Sequence, residues 1–334
     1  MNIIIPMAGM GKRMRPHTLT TPKPLIKIAG KPIVQRLCEE IATVCGSNIE
    51  EIGFVTGNFG QEVEQNLLSI ASALGAKGKI YYQQQALGTA HAIMCAEETL
   101  RGNVTIAFAD TLFEADFRLD TNQEGIIWTQ EVENPSAFGV VRKRQSGTIE
   151  GFVEKPKTFV SNEAIIGIYY FRSGEMLKTE LQYLLDNNRK TLGEYQLTDA
   201  LQRLLDKGCS LTTSSVRQWL DCGNKNATVY TNARILDLKA TKENLISTDL
   251  INDHSLIIEP CFISRGVRLS NSVIGPYVSL DEGVEIKNSI IKNSILGNDT
   301  FIENAIMENS MIGSHVHYVG KSQDLSIGDY NEVR

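Results

Sequence analysis

The chain has 334 residues, 42% of them apolar and 22% charged, with a formal net charge of −6. That composition excludes a disordered chain, and the length calls for one large domain plus a smaller one rather than a single core. The negative balance, with no Lys/Arg cluster against it, excludes an electrostatic nucleic-acid surface, so any basic patch is local and sized for a small ligand.

The apolar start at residues 3–5 is interrupted by Pro6 and has neither a basic leader nor a cleavage site. It therefore reads as neither a signal peptide nor a membrane span, and the expectation is a cytoplasmic protein with no membrane partner. Cys38, Cys45, Cys95, Cys209, Cys222 and Cys261 are scattered without a C-x-x-C pair, which fits reduced core thiols better than zinc or a disulfide framework.

In chain order, Asn2-Ile3-Ile4-Ile5 predicts a buried central strand. The stretch Gly9-Met10-Gly11-Lys12-Arg13-Met14-Arg15-Pro16, continuing to Thr21-Pro22-Lys23, then places a flexible loop at the carboxyl end of that strand. Ligands of open α/β sheets bind there; Gly9 and Gly11 let backbone N–H groups approach a phosphate, and Arg13, Arg15 and Lys23 supply positive charge. Two common phosphate loops do not fit. A dinucleotide fingerprint needs glycine where Met14 stands, and a P-loop needs glycine at Pro6 and Ser or Thr at Arg13.

From residue 30 to about residue 110, helices and strands alternate. Ile33, Leu37 and Ile41 recur at helical spacing, 52–56 reads as a strand, and Val63, Leu67, Ile70 and Leu74 form another helix face. A strand over 79–84, a helix over 89–100 and a buried strand over 104–109 complete the βαβ rhythm of a doubly wound α/β sheet. Residues 126–171 turn strand-rich, which predicts an added lobe over the ligand edge of the sheet. Helices return at 175–185 and 197–205, a strand at 211–216, and a closing helix and linker at 225–250.

Beyond residue 250 the texture becomes an internal repeat. Apolar residues recur every five or six positions, at Ile257, Ile263, Leu269, Ile274, Leu280, Ile286, Ile291, Leu296, Ile302, Met307 and Ile312. Turn formers lie between them, as in Lys287-Asn288-Ser289-Ile290 and Lys292-Asn293-Ser294-Ile295. This pattern looks like the hexapeptide left-handed parallel β-helix, with three to four coils. His315 and His317 are expected to alternate in and out of a strand. The expected domains are 1–240 and 251–334.

Three further constellations carry chemistry. Gln83-Gln84-Gln85-Ala86-Leu87-Gly88-Thr89-Ala90 lies between a strand and a helix, where amides can read a base edge, Gly88 allows close approach and Thr89 suits a helix N-terminus. Asp110 and Asp221 stand at expected strand ends, and exposed carboxylates there are natural oxygen ligands for Mg²⁺. Phe138-Gly139-Val140-Val141, Gly151-Phe152-Val153-Glu154-Lys155-Pro156 and Gly167-Ile168-Tyr169 supply a carboxylate for sugar hydroxyls, a lysine for a phosphate and two glycines that leave room.

The first loop resembles the signature G-x-G-x-R-[LM]-x-P-x-T, P-K, K-P of the sugar-1-phosphate nucleotidylyltransferases, the K-P being Lys31-Pro32. The other segments follow in that family's order. The resemblance covers residues 1 to about 240 closely and the β-helix only in pattern. It implies a doubly wound Rossmann-like nucleotidyltransferase domain followed by a short left-handed β-helix, and the reaction of an NTP with a sugar 1-phosphate to give an NDP-sugar and pyrophosphate. It implies Arg13 and Lys23 as catalytic residues, Ala8, Gly9, Gly11, Gln83, Gly88 and Thr89 at the nucleotide, and Gly139, Glu154, Lys155, Gly167 and Tyr169 at the sugar phosphate. Asp110 and Asp221 would hold Mg²⁺. It further implies a product used in cell-envelope or polysaccharide synthesis, while the β-helix is expected to assemble a homo-oligomer.

Two departures leave the substrate open. Many relatives have Asn where this chain has Ile165, and the thymidylyl branch has Arg where it has Leu192. Asp221-Cys222-Gly223 and Leu87-Gly88-Thr89-Ala90 lean toward uridylyl relatives and Ser161-Asn162 toward thymidylyl ones, so the reading is UTP or dTTP with a glucose-like sugar. Three alternatives stand beside it. One is a GTP-dependent mannose-1-phosphate guanylyltransferase. Another is a bifunctional enzyme that also transfers an acyl group, with His315 or His317 as base, and the third is a non-catalytic regulatory homologue that binds nucleotide-sugar.

Overall fold

The computed structural model describes residues 1–334 except 10, 47–48, 331 and 333–334, so Met10 of the glycine-rich loop lies outside the described residues. The chain forms two compact units, residues 1–26 with 31–224, and residues 27–30 with 225–334.

The N-terminal unit is built on four parallel strands, β1 (Asn2–Pro6), β2 (Glu51–Thr56), β3 (Lys77–Tyr82) and β4 (Val104–Ala107), in the order β4-β1-β2-β3. Helices α1 (Ile33–Cys45), α2 (Gln61–Ala73) and α3 (Thr89–Cys95) make the crossovers. Every residue of β1, β2 and β4 is buried, as expected of strands covered on both faces, and this explains why they read as continuous apolar runs. Helix α3 stops at Cys95 rather than running to residue 100, because the chain tightens into turns. Those turns deliver the Thr99 hydroxyl to Glu51 Oε1 at 2.6 Å.

The strand-rich middle, expected as an added lobe over the ligand edge, is built as an extension of the same sheet. After the short β5 (Thr111–Glu114) come β6 (Gly125–Glu131), β7 (Gly139–Lys143), β8 (Ile149–Glu154) and β9 (Glu163–Phe171). Strand β9 lies antiparallel to β4, with Ile168 opposite Ala107, and pairs antiparallel with β6 and β7; β8 pairs with β7. Buried Ile127, Val141, Ile165, Tyr169 and Phe171 explain the join, since they share one core with Ile4, Val55 and Ile106 of the parallel half. Helices α4 (Gly174–Asp186) and α5 (Leu197–Asp206) precede β10 (Leu211–Ser215), which runs parallel to β6. Finally β11 (Gln218–Asp221) forms an antiparallel ribbon with β5, placing Asp221 opposite Thr111.

The C-terminal unit contains helix α6 (Lys225–Lys239) and a parallel β-helix of three sheets with five, four and four strands. The expected inward positions hold: Ile263, Leu269, Ile274, Leu280, Ile286, Ile291, Leu296 and Ile302 are all buried, with Ile257, Met307 and Ile312 packed against them. The stack is longer than the apolar list suggested, because strands Ile251–Asp253 and His317–Val319 extend it at either end with exposed residues. Corner residues in the left-handed backbone region form columns up the stack, His254, Asn271, Asn288 and Asn304 in one and Gly266, Gly283, Asp299 and His315 in another. His315 therefore sits at a corner and not in a strand, while His317 stacks on Phe301 at 4.7 Å.

The Asn-Ser dipeptides of the repeat have distinct tasks. Asn288 takes the left-handed corner at φ 47°, which its short polar side chain tolerates. Ser289 donates its hydroxyl to the Lys287 carbonyl and accepts the Ala305 N–H of the next coil, so a buried hydroxyl is fully used. Within this unit Asn232, fully buried, accepts from the Ala29 N–H at 2.9 Å and the Ser279 hydroxyl at 2.7 Å.

Candidate active site

Two cavities open in the N-terminal unit. The larger, about 430 Å³, is lined by Ala8, Gly9, Gly11, Arg13, Lys23, Gln83, Gly88, Thr89 and Asp110 among others. The smaller, about 170 Å³, is lined by Gly139, Glu154, Gly167, Tyr169, Gln196 and Thr198 among others, and Thr89 and Phe108 line both. In the larger cavity residues from six separate sequence segments thus meet, three of them following the parallel strands β1, β3 and β4.

The loop after β1 is held from below by Met14, which is 1% exposed. Gly11 sits at φ 57° and leads into a turn of 3₁₀ helix at Lys12–Met14, the left-handed-then-right-handed form that gathers successive N–H groups on one side. The two glycines are not equivalent. A Cβ on Gly11 would stand 2.9 Å from the Lys23 Cβ, whereas a Cβ on Gly9 would meet nothing within 4 Å. Gly11 is needed for chain packing, and Gly9 leaves free space beside the cavity.

Four charges cluster here: Arg13, Lys23 and Asp110 line the cavity, and Asp221 interacts with all three. Lys23, nearly buried, donates from Nζ to Asp110 Oδ2 at 3.0 Å. The ribbon of β5 and β11 brings Asp221 beside Asp110, since the Cys222 N–H donates to the Asp110 carbonyl at 3.0 Å. Gly223 makes the remaining approach possible: a Cβ there would lie 2.8 Å from Asp221 Oδ2 and 3.2 Å from the Arg13 guanidinium. Burial holds the Asp221 carboxyl above its ordinary pKa, and the neighbouring Asp110 charge pushes the same way, against Lys23 and Arg13. Two carboxylates pressed together, one of them desolvated, form an oxygen-donor set that suits a hard divalent cation. No group of three or more His, Cys, Asp or Glu side chains that could hold a metal occurs among the described residues.

In the lining of the same cavity, Gln83 follows β3 and Gly88 precedes α3. Gly88, at φ 116°, lies so close to the Tyr195 backbone that a Cβ would be 2.4 Å from its carbonyl oxygen. Thr89 stands at the helix N-terminus as expected, and its hydroxyl bridges to another segment: it accepts the Leu197 N–H at 2.9 Å and donates to Gln196 Oε1 at 3.3 Å. The segment around residue 88 is thereby pinned to the one around residue 196.

In the smaller cavity, Glu154 Oε2 accepts from the Thr198 hydroxyl at 3.2 Å, and burial raises the Glu154 pKa. Gly139 leaves the room, because a Cβ there would stand 3.1 Å from Glu154 Oε2. Gly167, at φ 86°, lies where the pairing of β9 with β6 shifts register, and Tyr169 is 6% exposed with its ring edge-on to Phe108. Lys155 is half-exposed, its Nζ 3.8 Å from Glu154 Oε1, and it lines neither cavity. Reading the motifs alone missed Phe108 as the shared wall and His91, whose Nδ1 lies 3.1 Å from Gln83 Nε2. No periodic or motif signal marks either one.

Comparison with known proteins places these residues in context. A family model described as nucleotidyl transferase matches residues 2–237. The chain is 28% identical to the low-salt glycan biosynthesis nucleotidyltransferase Agl11 of Haloferax volcanii, covering 98% of each chain. It is 26% identical to a glucose-1-phosphate thymidylyltransferase of Streptomyces griseus, covering all of this chain and 99% of that one. Among solved structures, a UDP-glucose pyrophosphorylase complexed with UDP-glucose superposes with a TM-score of 0.57 at 25% identity, over 71% of this chain and 98% of that one.

Proposed function

The chain belongs to the nucleotidyl transferase family, and we propose that it joins a nucleoside triphosphate to a sugar 1-phosphate, releasing pyrophosphate. The observation that carries this reading is one cavity lined by Arg13, Lys23, Asp110, Gln83 and Gly88, with Asp221 set beside Asp110 and Arg13. A second cavity with a carboxylate and three hydroxyls, Glu154 with Thr89, Tyr169 and Thr198, adjoins it through Thr89 and Phe108. The names of the full-length relatives support the same substrates.

An oxygen of the sugar phosphate attacks the α-phosphorus, the bond to the β-phosphate oxygen breaks, and the pyrophosphate leaves with the electron pair. No protein nucleophile is required, so catalysis is positioning and charge stabilisation. Arg13 holds the leaving pyrophosphate, Lys23 meets charge developing at the α-phosphate, and Lys155 grips the acceptor phosphate. Gln83 and Gly88 read the base; Glu154 accepts from sugar hydroxyls, with Gly139, Gly167 and Tyr169 shaping their space. Asp110 and Asp221 would hold Mg²⁺, which supplies charge neutralisation of the phosphates when bound.

We take UTP or dTTP and a glucose-like sugar as the substrates, and a nucleotide-sugar for polysaccharide synthesis in the cytoplasm as the setting. No helix among the described residues is long and apolar enough to cross a membrane. We assign the chemistry to residues 1–240 and the assembly of a homo-oligomer to 251–334. Two observations support that division: the residues lining the two site cavities end at Gly223, and the coils carry an outward apolar ladder of Leu256, Val273, Ile290 and Ile306 in register. A pyrophosphate-release assay with four NTPs against a panel of sugar 1-phosphates tests the proposal. Release with UTP or dTTP and a glucose-type phosphate is expected, and silence across the panel at saturating Mg²⁺ refutes it.

A further inference from the structure

The Gln83 side chain is held in one orientation by hydrogen-bond chemistry alone. Its Nε2 lies 3.2 Å from the Gly88 carbonyl oxygen and 3.1 Å from His91 Nδ1. A backbone carbonyl only accepts, so the amide nitrogen and not the amide oxygen must face it. An amide nitrogen only donates, so His91 Nδ1 must accept, and the imidazole is neutral with its proton on Nε2. Both amide hydrogens are then committed. The remaining atom, Gln83 Oε1, takes no hydrogen bond among the described residues, and Gln83 lines the 430 Å³ cavity.

Backbone bonds fix the parts of this arrangement. The Gln83 N–H donates to the Thr56 carbonyl at 2.9 Å, tying the residue to the end of β2. His91 lies on α3, whose first turn is anchored by the Ala90 N–H to the Tyr195 carbonyl at 2.9 Å. Cys95, one turn on, places its sulfur 4.0 Å from the same Nδ1 and is kept a thiol by burial, so no thiolate stands there to favour a protonated ring. Burial likewise lowers the His91 pKa, in keeping with a neutral ring.

We propose that His91 is a positioning residue for base selection: as a neutral acceptor it locks the Gln83 amide with Oε1 toward the cavity, so that the site demands a ring N–H on the base. Uracil and thymine offer one at N3 and guanine at N1, whereas the corresponding ring nitrogens of cytosine and adenine only accept. This inference rests on the reading of the larger cavity as the nucleotide site. Without His91 the Gly88 carbonyl is the one acceptor left to hold the amide, and a flipped amide would offer donors that suit cytosine and adenine.

The test compares His91→Leu, which removes the acceptor, with His91→Asn, whose Oδ1 can accept from nearly the same place. KM for the preferred NTP, KM for the sugar 1-phosphate and selectivity over CTP are measured by pyrophosphate release. His91→Leu is expected to raise KM for the NTP by about tenfold, to leave KM for the sugar 1-phosphate unchanged and to lower selectivity over CTP, with His91→Asn restoring both values. If the two variants behave alike, or the sugar-phosphate KM moves equally, the assignment is overturned. Long-range ¹⁵N NMR on the wild-type protein decides the matter even where a variant fails to fold: a proton on Nε2 supports the lock, and one on Nδ1 overturns it. An active wild type with unaltered selectivity in His91→Leu sinks the lock alone. A wild type that releases no pyrophosphate with any NTP removes the nucleotide reading and the lock with it.

Discussion

In the C-terminal coils, left-handed residues recur at intervals of 16 or 17 positions, and the buried hydroxyls of Ser272, Ser289 and Ser294 each accept an N–H from the next coil. In the N-terminal unit the special residues follow no period, and they leave charge facing like charge, as at Asp110 and Asp221, and a carboxylate desolvated, as at Glu154. The difference separates residues that serve the fold from residues that burden it. A group whose needs are met by its own chain contributes stability, whereas a group held against its own preference points to something that binds there.

Substitutions can break this comparison, and the largest effect is expected at the paired carboxylates. Asp110→Asn and Asp221→Asn should each lower turnover by about 10²–10³-fold, a magnitude typical of lost electrostatic stabilisation, while circular dichroism and the melting midpoint stay close to wild type. Near-wild-type turnover at saturating Mg²⁺ in either variant would remove that residue from the site.

The two lysines sharpen the contrast within the N-terminal unit. Lys23 is nearly buried and ion-paired, while the Lys155 side chain is 51% exposed. Lys23→Ala should lower kcat by about 10²-fold, because it meets charge that develops only in the transition state. Lys155→Ala should chiefly raise KM for the sugar phosphate, an anion already present in the ground state. The reverse pattern in steady-state kinetics would exchange the roles.

The coils should respond in the opposite way. Leu280, fully buried in the stack, is expected to cost about 2–5 kcal/mol on replacement by alanine, read by chemical denaturation. Asn288→Ala, at φ 47°, should cost about 1 kcal/mol, with Asn288→Gly close to neutral. Neither is expected to change KM for NTP or sugar phosphate in the folded protein; a shift in either constant would tie the coils to the site.

The smallest effect concerns pH. Burial raises the folded Glu154 pKa above its ordinary 4.5, so the native state binds more protons than the unfolded chain between that value and the raised one. Stability contributed at this position is present below pH 4.5 and is lost as pH rises through the raised value. Glu154→Gln should therefore melt slightly higher than wild type at pH 7, with the advantage gone in acid, while KM for the sugar phosphate rises. A variant that melts lower at pH 7 would show that the carboxylate stabilises the fold instead.

Much of this was legible in the residues. The inward positions of the coils could be read one by one, because a stacked strand of two or three residues buries the same face each time and the spacing survives in the sequence. The loop from Gly9 to Lys23 was legible through its glycines and charges, and α1, α2, α4 and α5 through their apolar faces. The end of α3 and the fate of residues 126–171 were not. Whether a strand extends an existing sheet or starts a new lobe depends on which edge lies free, and an edge is not encoded in the strand's own residues.

The sequence by itself determined the two textures, the order of elements, the family resemblance and the candidate residues, since each rests on local spacing or on residue chemistry. Only the tertiary structure decided which candidates meet. Asp110 and Asp221 are 111 residues apart and become neighbours because β5 and β11 pair in one register, with Asp221 opposite Thr111. Gly223 has no motif value alone, yet its missing Cβ lets the Asp221 carboxylate and the Arg13 guanidinium approach. His91 acquires a role only because a helix and a strand end set its Nδ1 beside Gln83 Nε2. Spacing along a chain records what one element does with its own faces; contact between elements depends on register and close approach, which no single segment carries.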